Sequence, residues 1–209
     1  HWLGIVWDEG VMPDGKNAGA DAPYRSSERM KLYRPYIEKL LEEGKAFYCF
    51  MTEAELDEAR KKAAADGTAF LIRSPWRDTP SEEAKKKLAA GEAYVIRFKI
   101  PLSRGIVVFN DLIRGQTAVS VNVLEDFAIA KNPDTSLYNF AVVVDDHVMN
   151  ISHVIRGEDH ISNTPKQLLL YEAFGWQPPV FAHTPLILGQ DRSKLSKRHG
   201  ATSVADFEA

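Results

Sequence analysis

The sequence has little of three things: cysteine, net charge and long apolar runs. Its single cysteine, Cys49, excludes an internal disulfide framework and a thiolate-rich zinc or iron–sulfur site, and is typical of a reducing compartment. A formal charge of -3 over 209 residues excludes a uniformly basic nucleic-acid-binding protein, although it is compatible with a local basic patch. No apolar run approaches the roughly 18 residues that a membrane span needs. We therefore expect a cytoplasmic protein with no membrane partner.

Several common catalytic motifs are also missing. The sequence contains neither GxxxxGK[ST] nor GxGxxG, so neither familiar glycine-rich phosphate-binding loop applies. It contains no HExxH zinc helix and no GxSxG nucleophile turn. Any catalytic chemistry must come from other clusters of polar residues.

Helical patterns come first along the chain. Apolar residues recur at helical spacing over 30–41, and Pro35 predicts either a kink or the start of a second helix there. Thr52 with Glu55 three positions later has the pattern of a capping box. Thr79, which a proline follows, predicts the cap of a further helix.

Alternation with a period of two follows these helices. It predicts strands over 94–100, 106–109 and 118–121, separated by turn signals. The middle of the chain is therefore predicted to be α+β.

The last third has a different pattern. Residues 140–144 are a continuous apolar run, typical of a strand that is buried on both faces of a parallel sheet. Thr164 and Gln167, with a proline between them, predict a capping box and an amphipathic helix. Residues 185–188 predict another buried strand. Strand, helix and strand form a parallel α/β unit, and ligands of such sheets bind at the carboxyl ends of the strands.

The densest polar cluster spans residues 145–160. The guanidinium of Arg156 could bind a substrate carboxylate through two parallel hydrogen bonds. Tyr138 and Asn139 could add hydrogen bonds to the same ligand. A structural ion pair between Arg156 and Asp146 or Glu158 is the alternative. A metal site is a further one, although no recognised ligand spacing is present.

A basic cluster follows at residues 190–200, where four basic residues accompany one acid between two glycines. Lys194 and Lys197 could neutralise the charge that develops on a pyrophosphate leaving group. A solvated basic loop or a nucleic-acid contact is the alternative.

These stretches together resemble bacterial glutamyl-tRNA synthetases, which are class I aminoacyl-tRNA synthetases. The resemblance covers essentially the whole chain and rests mainly on YNFAVVVDDH at 138–147, HVIRGEDH at 153–160 and NTPKQ at 163–167. A fourth stretch is similar to the KMSKS signature of the class and consists of Lys194, Leu195, Ser196, Lys197 and Arg198.

The resemblance implies an α/β fold, a Rossmann-like catalytic domain that an α+β acceptor-stem-binding insertion interrupts. Residues 1–34 would belong to the catalytic domain, 35–135 to the insertion, and 136–209 to the second Rossmann half with the KMSKS-type loop. The first strand with its HIGH-type signature is expected upstream and a helical anticodon-binding region downstream. We therefore expect the chain to be an internal fragment, whose isolated activity the sequence leaves open.

The resemblance also implies residue roles. Tyr138 and Arg156 would bind glutamate. The ATP site would include Asp159, Ile187, Lys194 and Lys197, and the two lysines would be catalytic. Candidate tRNA contacts are Arg25, Arg29 and Arg114.

The implied reaction is ATP-dependent activation of L-glutamate to glutamyl-adenylate, with transfer to the 3′ end of tRNA(Glu). Magnesium is implied with ATP, whereas no zinc or other resident metal is expected because Cys49 stands alone. We expect a monomer. The alternatives are a synthetase-derived module that binds tRNA or nucleotide without catalysis, a glutaminyl-type enzyme, or a relative that glutamylates a tRNA base.

Overall fold

The computed structural model describes residues 4–189 and contains two four-stranded sheets with helices packed on them. Its helices are α1 (Met30–Glu42), α2 (Glu53–Ala65), α3 (Ser81–Ala89), α4 (Tyr138–Val148) and α5 (Thr164–Phe174). Its strands are β1 (Gly10–Val11), β2 (Asn17–Ala18), β3 (Ala46–Cys49), β4 (Val95–Phe98), β5 (Ile106–Asp111), β6 (Gly115–Ser120), β7 (Ala128–Asn132), β8 (Thr135–Ser136), β9 (His153–Gly157) and β10 (Val180–Thr184).

One sheet has the strand order β6-β5-β10-β9 and carries the candidate site. Strand β10 pairs in parallel with both β5 and β9, and β6 is antiparallel to β5. Helix α5 connects β9 to β10, so these three elements form a parallel α/β unit around the helix that the sequence predicts, with strands at other positions than predicted. Its side chains Leu169, Leu170 and Tyr171 are almost completely buried.

The strands that the sequence predicts at 140–144 and 185–188 are wrong. Residues 140–144 lie in α4, where Phe140, Ala141, Val143 and Val144 are buried. This spacing puts them on one side of a helix, and a short apolar run does not by itself distinguish a strand from a buried helix. Residues 185–188 follow β10, which ends at Thr184, and Ile187 is 75% exposed.

The predicted helix starts have mixed outcomes. The capping box of Thr52 and Glu55 is confirmed, since both reciprocal hydrogen bonds form. Helix α3 begins one residue later than predicted, with Pro80 at its cap and no capping side chain.

Two further predicted details of the helix starts are wrong, the capping box at Thr164 and the alternative of a second helix at Pro35, whereas the predicted helix α5 itself is present. Helix α5 begins at Thr164, whose side chain caps nothing and turns instead toward Arg156 and His183. No second helix begins at Pro35, because α1 continues through it as one element of the described chain.

The other sheet is antiparallel, with the order β3-β4-β7-β8. Helix α1 packs beside it and contributes Tyr33, Ile37 and Leu40, all fully buried. A common apolar core joins this part to the β6-β5-β10-β9 sheet. Within residues 4–189, no helix is both long and apolar enough to cross a bilayer.

The predicted domain division at residues 34 and 135 stays a prediction. Strands β5 and β6 fall within the range predicted for the insertion, yet β5 pairs with β10 of the second half. The insertion and the second half therefore share a sheet.

Candidate amino-acid and nucleotide site

Arg156 lies within β9, directly beside His183 of β10 in the parallel register. Its Nε donates to Nε2 of His183 at 3.1 Å, and its Nη2 donates to Thr164 Oγ1 and Gln167 Oε1, each at 2.9 Å. None of these three acceptors is a carboxylate. Within residues 4–189, Nη1 has no hydrogen-bond partner. The guanidinium is therefore held in place while its charge stays available to an anionic ligand.

The alternative of a structural ion pair for Arg156 does not hold in the described part of the chain. Glu158 pairs instead with Arg114 and accepts the backbone N–H of Leu186 at 3.1 Å. Asp146 accepts a long hydrogen bond of 3.5 Å from Tyr171 and forms no ion pair with Arg156 there. Between residues 4 and 189, no group of three potential His, Cys, Asp or Glu metal ligands comes together.

The two residues predicted to accompany Arg156 begin α4. Tyr138 is 51% exposed, and its hydroxyl lies 3.3 Å from Nδ1 of His160. The carbonyl of His160 in turn lies 3.5 Å from Nη2 of Arg156. Asn139 Oδ1 accepts from Gln167 Nε2 at 3.0 Å, and Gln167 also binds Arg156. The structure thus brings Tyr138, Asn139 and Arg156 to one place.

Two of the predicted ATP residues follow the carboxyl ends of neighbouring parallel strands. Asp159 comes two residues after β9, and Ile187 comes three residues after β10. The Asp159 carboxylate lies against Gly157, where an added Cβ would meet Oδ1 at 2.6 Å. Lys194, Leu195, Ser196, Lys197 and Arg198 lie outside the described residues.

The candidate tRNA contacts differ in exposure. Arg25 is exposed and forms a 3.6 Å ion pair with Glu28. Arg114 is about one-third exposed and pairs with Glu158. Arg29 is only 2% exposed and binds Asp145 at 2.7 Å. The guanidinium of Arg29 is therefore used inside the fold, and its role as an RNA contact stays a prediction that this geometry does not support.

Several residues of the site were not predicted from the sequence. Thr164 and Gln167 resembled parts of a helix cap, and Asp111 resembled part of a turn. His183 lies in a short apolar strand and is completely buried. A polar residue within a buried apolar run needs a hydrogen-bond partner, and that signal could have identified His183.

The fold is that of a class I aminoacyl-tRNA synthetase catalytic domain. A family model described as tRNA synthetases class I (E and Q), catalytic domain, matches residues 1–208, and the chain belongs to this family. The family and the α/β fold class expected from the sequence are thereby confirmed.

Individual relatives are more specific. The chain is 50% identical over 206 residues to a glutamate–tRNA ligase of Carboxydothermus hydrogenoformans, covering 99% of this chain and 42% of the relative. The solved glutamate–tRNA synthetase of Elizabethkingia anophelis superimposes with a TM-score of 0.83 at 43% identity, covering 95% of this chain and 41% of that one.

A glutamate tRNA ligase of Elizabethkingia meningosepticum CCUG26117, solved in complex with its amino acid, gives a TM-score of 0.79 at 44% identity. That match covers 88% of this chain and 38% of the solved one. The chain thus spans about two-fifths of the length of these relatives.

Asp146, close to the site, gives a prediction for stability against pH. Burial raises the pKa of Asp146 to about 6, despite the opposing charge of Arg156. In the unfolded chain the pKa is about 3.9, so the folded chain retains a proton that the unfolded chain loses. The contribution of this group to stability is fully present below pH ~4 and is lost as the pH rises through 6.

We expect Asp146→Asn to remove that loss. At pH 8 the variant should be more stable than the parent by about 1–2 kcal/mol, a value reduced for partial solvent exposure, and the difference should shrink toward pH 4. Urea unfolding at both pH values measures it, with exposed Asp134→Asn as the control. An equal gain at both pH values would contradict the titration of Asp146.

Proposed function

We propose that the protein is a glutamate–tRNA ligase. It would activate L-glutamate with ATP and transfer the glutamyl group to the 3′ end of tRNA(Glu). The observation that carries this proposal is Arg156, held by neutral acceptors beside the carboxyl ends of parallel strands with Nη1 unused among the described residues. The proposed function agrees with the names of the relatives.

In the proposed reaction, a carboxylate of glutamate binds Arg156, and the Tyr138 hydroxyl adds a hydrogen bond. An oxygen of the α-carboxylate attacks the α-phosphorus of ATP, the bond to the β-phosphate breaks, and pyrophosphate leaves. A ribose hydroxyl at the tRNA 3′ end then attacks the activated carbonyl, and AMP leaves. This reaction depends more on holding the two reactants close together in the correct orientation than on an acid or base catalyst.

The nucleotide would bind at the carboxyl ends of β9 and β10, where Asp159 and Ile187 follow the strands. Lys194 and Lys197 would neutralise the charge that develops on the leaving pyrophosphate. Magnesium would accompany the ATP phosphates as part of the nucleotide substrate, and no zinc is included in the proposal.

For the tRNA we propose contacts from Arg25 and Arg114, mainly to the phosphate backbone. We further propose a monomer that works in the cytoplasm, where tRNA and ATP are available. The division into residues 1–34, 35–135 and 136–209 belongs to the same proposal.

Charging of total bacterial tRNA tests the proposed function. Labelled glutamate or labelled glutamine is supplied with ATP, and these 209 residues are compared with the full natural polypeptide that carries them. Charging with glutamate alone supports the proposal. Charging with glutamine supports the glutaminyl type, which the matched family also includes. Binding of tRNA without any charging would contradict the proposal and support a binding module.

A further inference from the structure

We propose that Asp111 and His183 are positioning residues for Arg156: the Asp111 carboxylate fixes His183 in the tautomer that accepts a hydrogen bond from the guanidinium. This inference rests on the proposed binding of glutamate by Arg156. The three residues lie on adjacent strands in the order β5, β10 and β9; His183 is opposite Arg156, and Asp111 is opposite Phe181, two positions before His183.

The pair of Asp111 and His183 is almost completely buried, with exposures of 3% and 0%. Oδ2 of Asp111 lies 2.6 Å from Nδ1 of His183. Oδ1 accepts three backbone N–H groups, those of Ile113 at 3.0 Å, Arg114 at 2.9 Å and His183 at 3.1 Å. Each of these contacts of the Asp111 carboxylate is therefore with a hydrogen-bond donor.

These contacts keep Asp111 ionised. Burial alone would raise its pKa, but the hydrogen bonds from the His183 side chain and from the three backbone N–H groups outweigh burial and lower the pKa to about 2. An ionised carboxylate only accepts hydrogen bonds. The proton between Oδ2 and Nδ1 must therefore belong to the imidazole of His183.

The consequence appears on the other side of the ring. With the proton on Nδ1, a neutral imidazole presents a lone pair at Nε2. That lone pair faces the N–H of Arg156 Nε at 3.1 Å and the hydroxyl of Thr164 at 3.3 Å. The opposite tautomer would place an N–H against the N–H of Arg156. Because the guanidinium is planar, fixing Nε and Nη2 also fixes the direction of Nη1.

Asp111→Asn tests this role with little change of shape. The amide oxygen can keep the three backbone donors, but the amide N–H2 then faces Nδ1 and favours the proton on Nε2. We expect the KM for glutamate to rise about 10- to 150-fold, the range of one hydrogen bond to a charged group. The KM for ATP should change by less than about 3-fold, and kcat at saturating glutamate should fall far less than the KM rises.

A double-mutant cycle with His183→Gln separates positioning from simple loss of structure. The glutamine amide oxygen can accept from Arg156 whatever residue 111 is. In the full natural polypeptide, Asp111→Asn should therefore add little to the glutamate KM of His183→Gln. Additive effects would overturn the inference, because Asp111 would then act independently of His183.

Asp126→Asn is the matched control. Asp126 is also completely buried and also accepts a backbone N–H, that of Ile100 at 2.9 Å, but it lies beside β7, outside the sheet of Arg156. It should lower stability without a selective change in the glutamate KM. An equally selective rise in this control would overturn the inference, because generic destabilisation would then explain Asp111→Asn.

Nitrogen NMR of 15N-histidine-labelled protein gives a direct readout that does not depend on catalysis. The His183 signals, assigned by their loss in His183→Gln, should show a proton on Nδ1 and a bare Nε2. A proton on Nε2 in the parent protein would overturn the inference whatever the activity. If instead the parent charges no glutamate, the proposed function fails, and the NMR result still decides the tautomer.

Discussion

Replacing Arg156 with alanine should raise the KM for glutamate by about 30-fold or more, with a much smaller change in the KM for ATP. Truncation of one member of a buried, hydrogen-bonded charge pair costs about 2–5 kcal/mol. In the free protein the guanidinium is held by three side chains, His183, Thr164 and Gln167. Folding has therefore already ordered the Arg156 guanidinium before the ligand binds. ATP-dependent pyrophosphate exchange over a range of glutamate concentrations, with tRNA present, measures the effect.

Two further variants make the Arg156 result specific. Arg156→Lys keeps the positive charge but not the planar pair of N–H donors. We therefore expect it to show most of the rise in the KM for glutamate. Arg104→Ala removes an exposed arginine that pairs with Glu172 at 3.2 Å, and it should change neither KM. An unchanged glutamate requirement in Arg156→Ala would remove Arg156 from the binding site. An equal rise in both KM values would indicate a general loss of structure.

The motifs that identify the site were predictable from sequence because each is local. A guanidinium, a tyrosine and an asparagine at 138–156 keep their chemistry whatever element carries them. Their elements were less predictable: the run at 140–144 is apolar enough for either a strand or a buried helix, and only its packing between α1, β7 and α5 decides.

The support behind the site was not predictable for a different reason. Asp111 and His183 are 72 positions apart, and their contact requires the parallel pairing of β5 with β10. No local pattern contains that pairing. Gln167 likewise carried the signature of a helix cap, whereas the fold uses it to join Arg156 to Asn139.

The second large effect concerns Arg29, which the sequence placed on the RNA-binding surface and the structure places inside. Its Nε binds Asp145 Oδ1 at 2.7 Å, and its Nη1 donates to the carbonyls of Asp21 at 2.9 Å and Pro23 at 2.7 Å. The other oxygen of Asp145 accepts a hydrogen bond from the Tyr33 hydroxyl at 2.8 Å. Burial, and to a smaller extent this hydrogen bond, raise the pKa of Tyr33. Arg29 thus ties the segment before α1 to α4.

Arg29→Met should destabilise the fold by about 3–5 kcal/mol, because it leaves a partly buried carboxylate and two carbonyls without their donor. Urea unfolding of the chain measures this. The double variant Arg29→Met with Asp145→Leu should recover part of the loss, since it removes the uncompensated charge. Exposed Arg25→Met is the matched control and should change stability by less than about 0.5 kcal/mol. If Arg29→Met instead weakened tRNA binding at unchanged stability, the guanidinium would have to leave Asp145 for the RNA, and the interior role would be wrong.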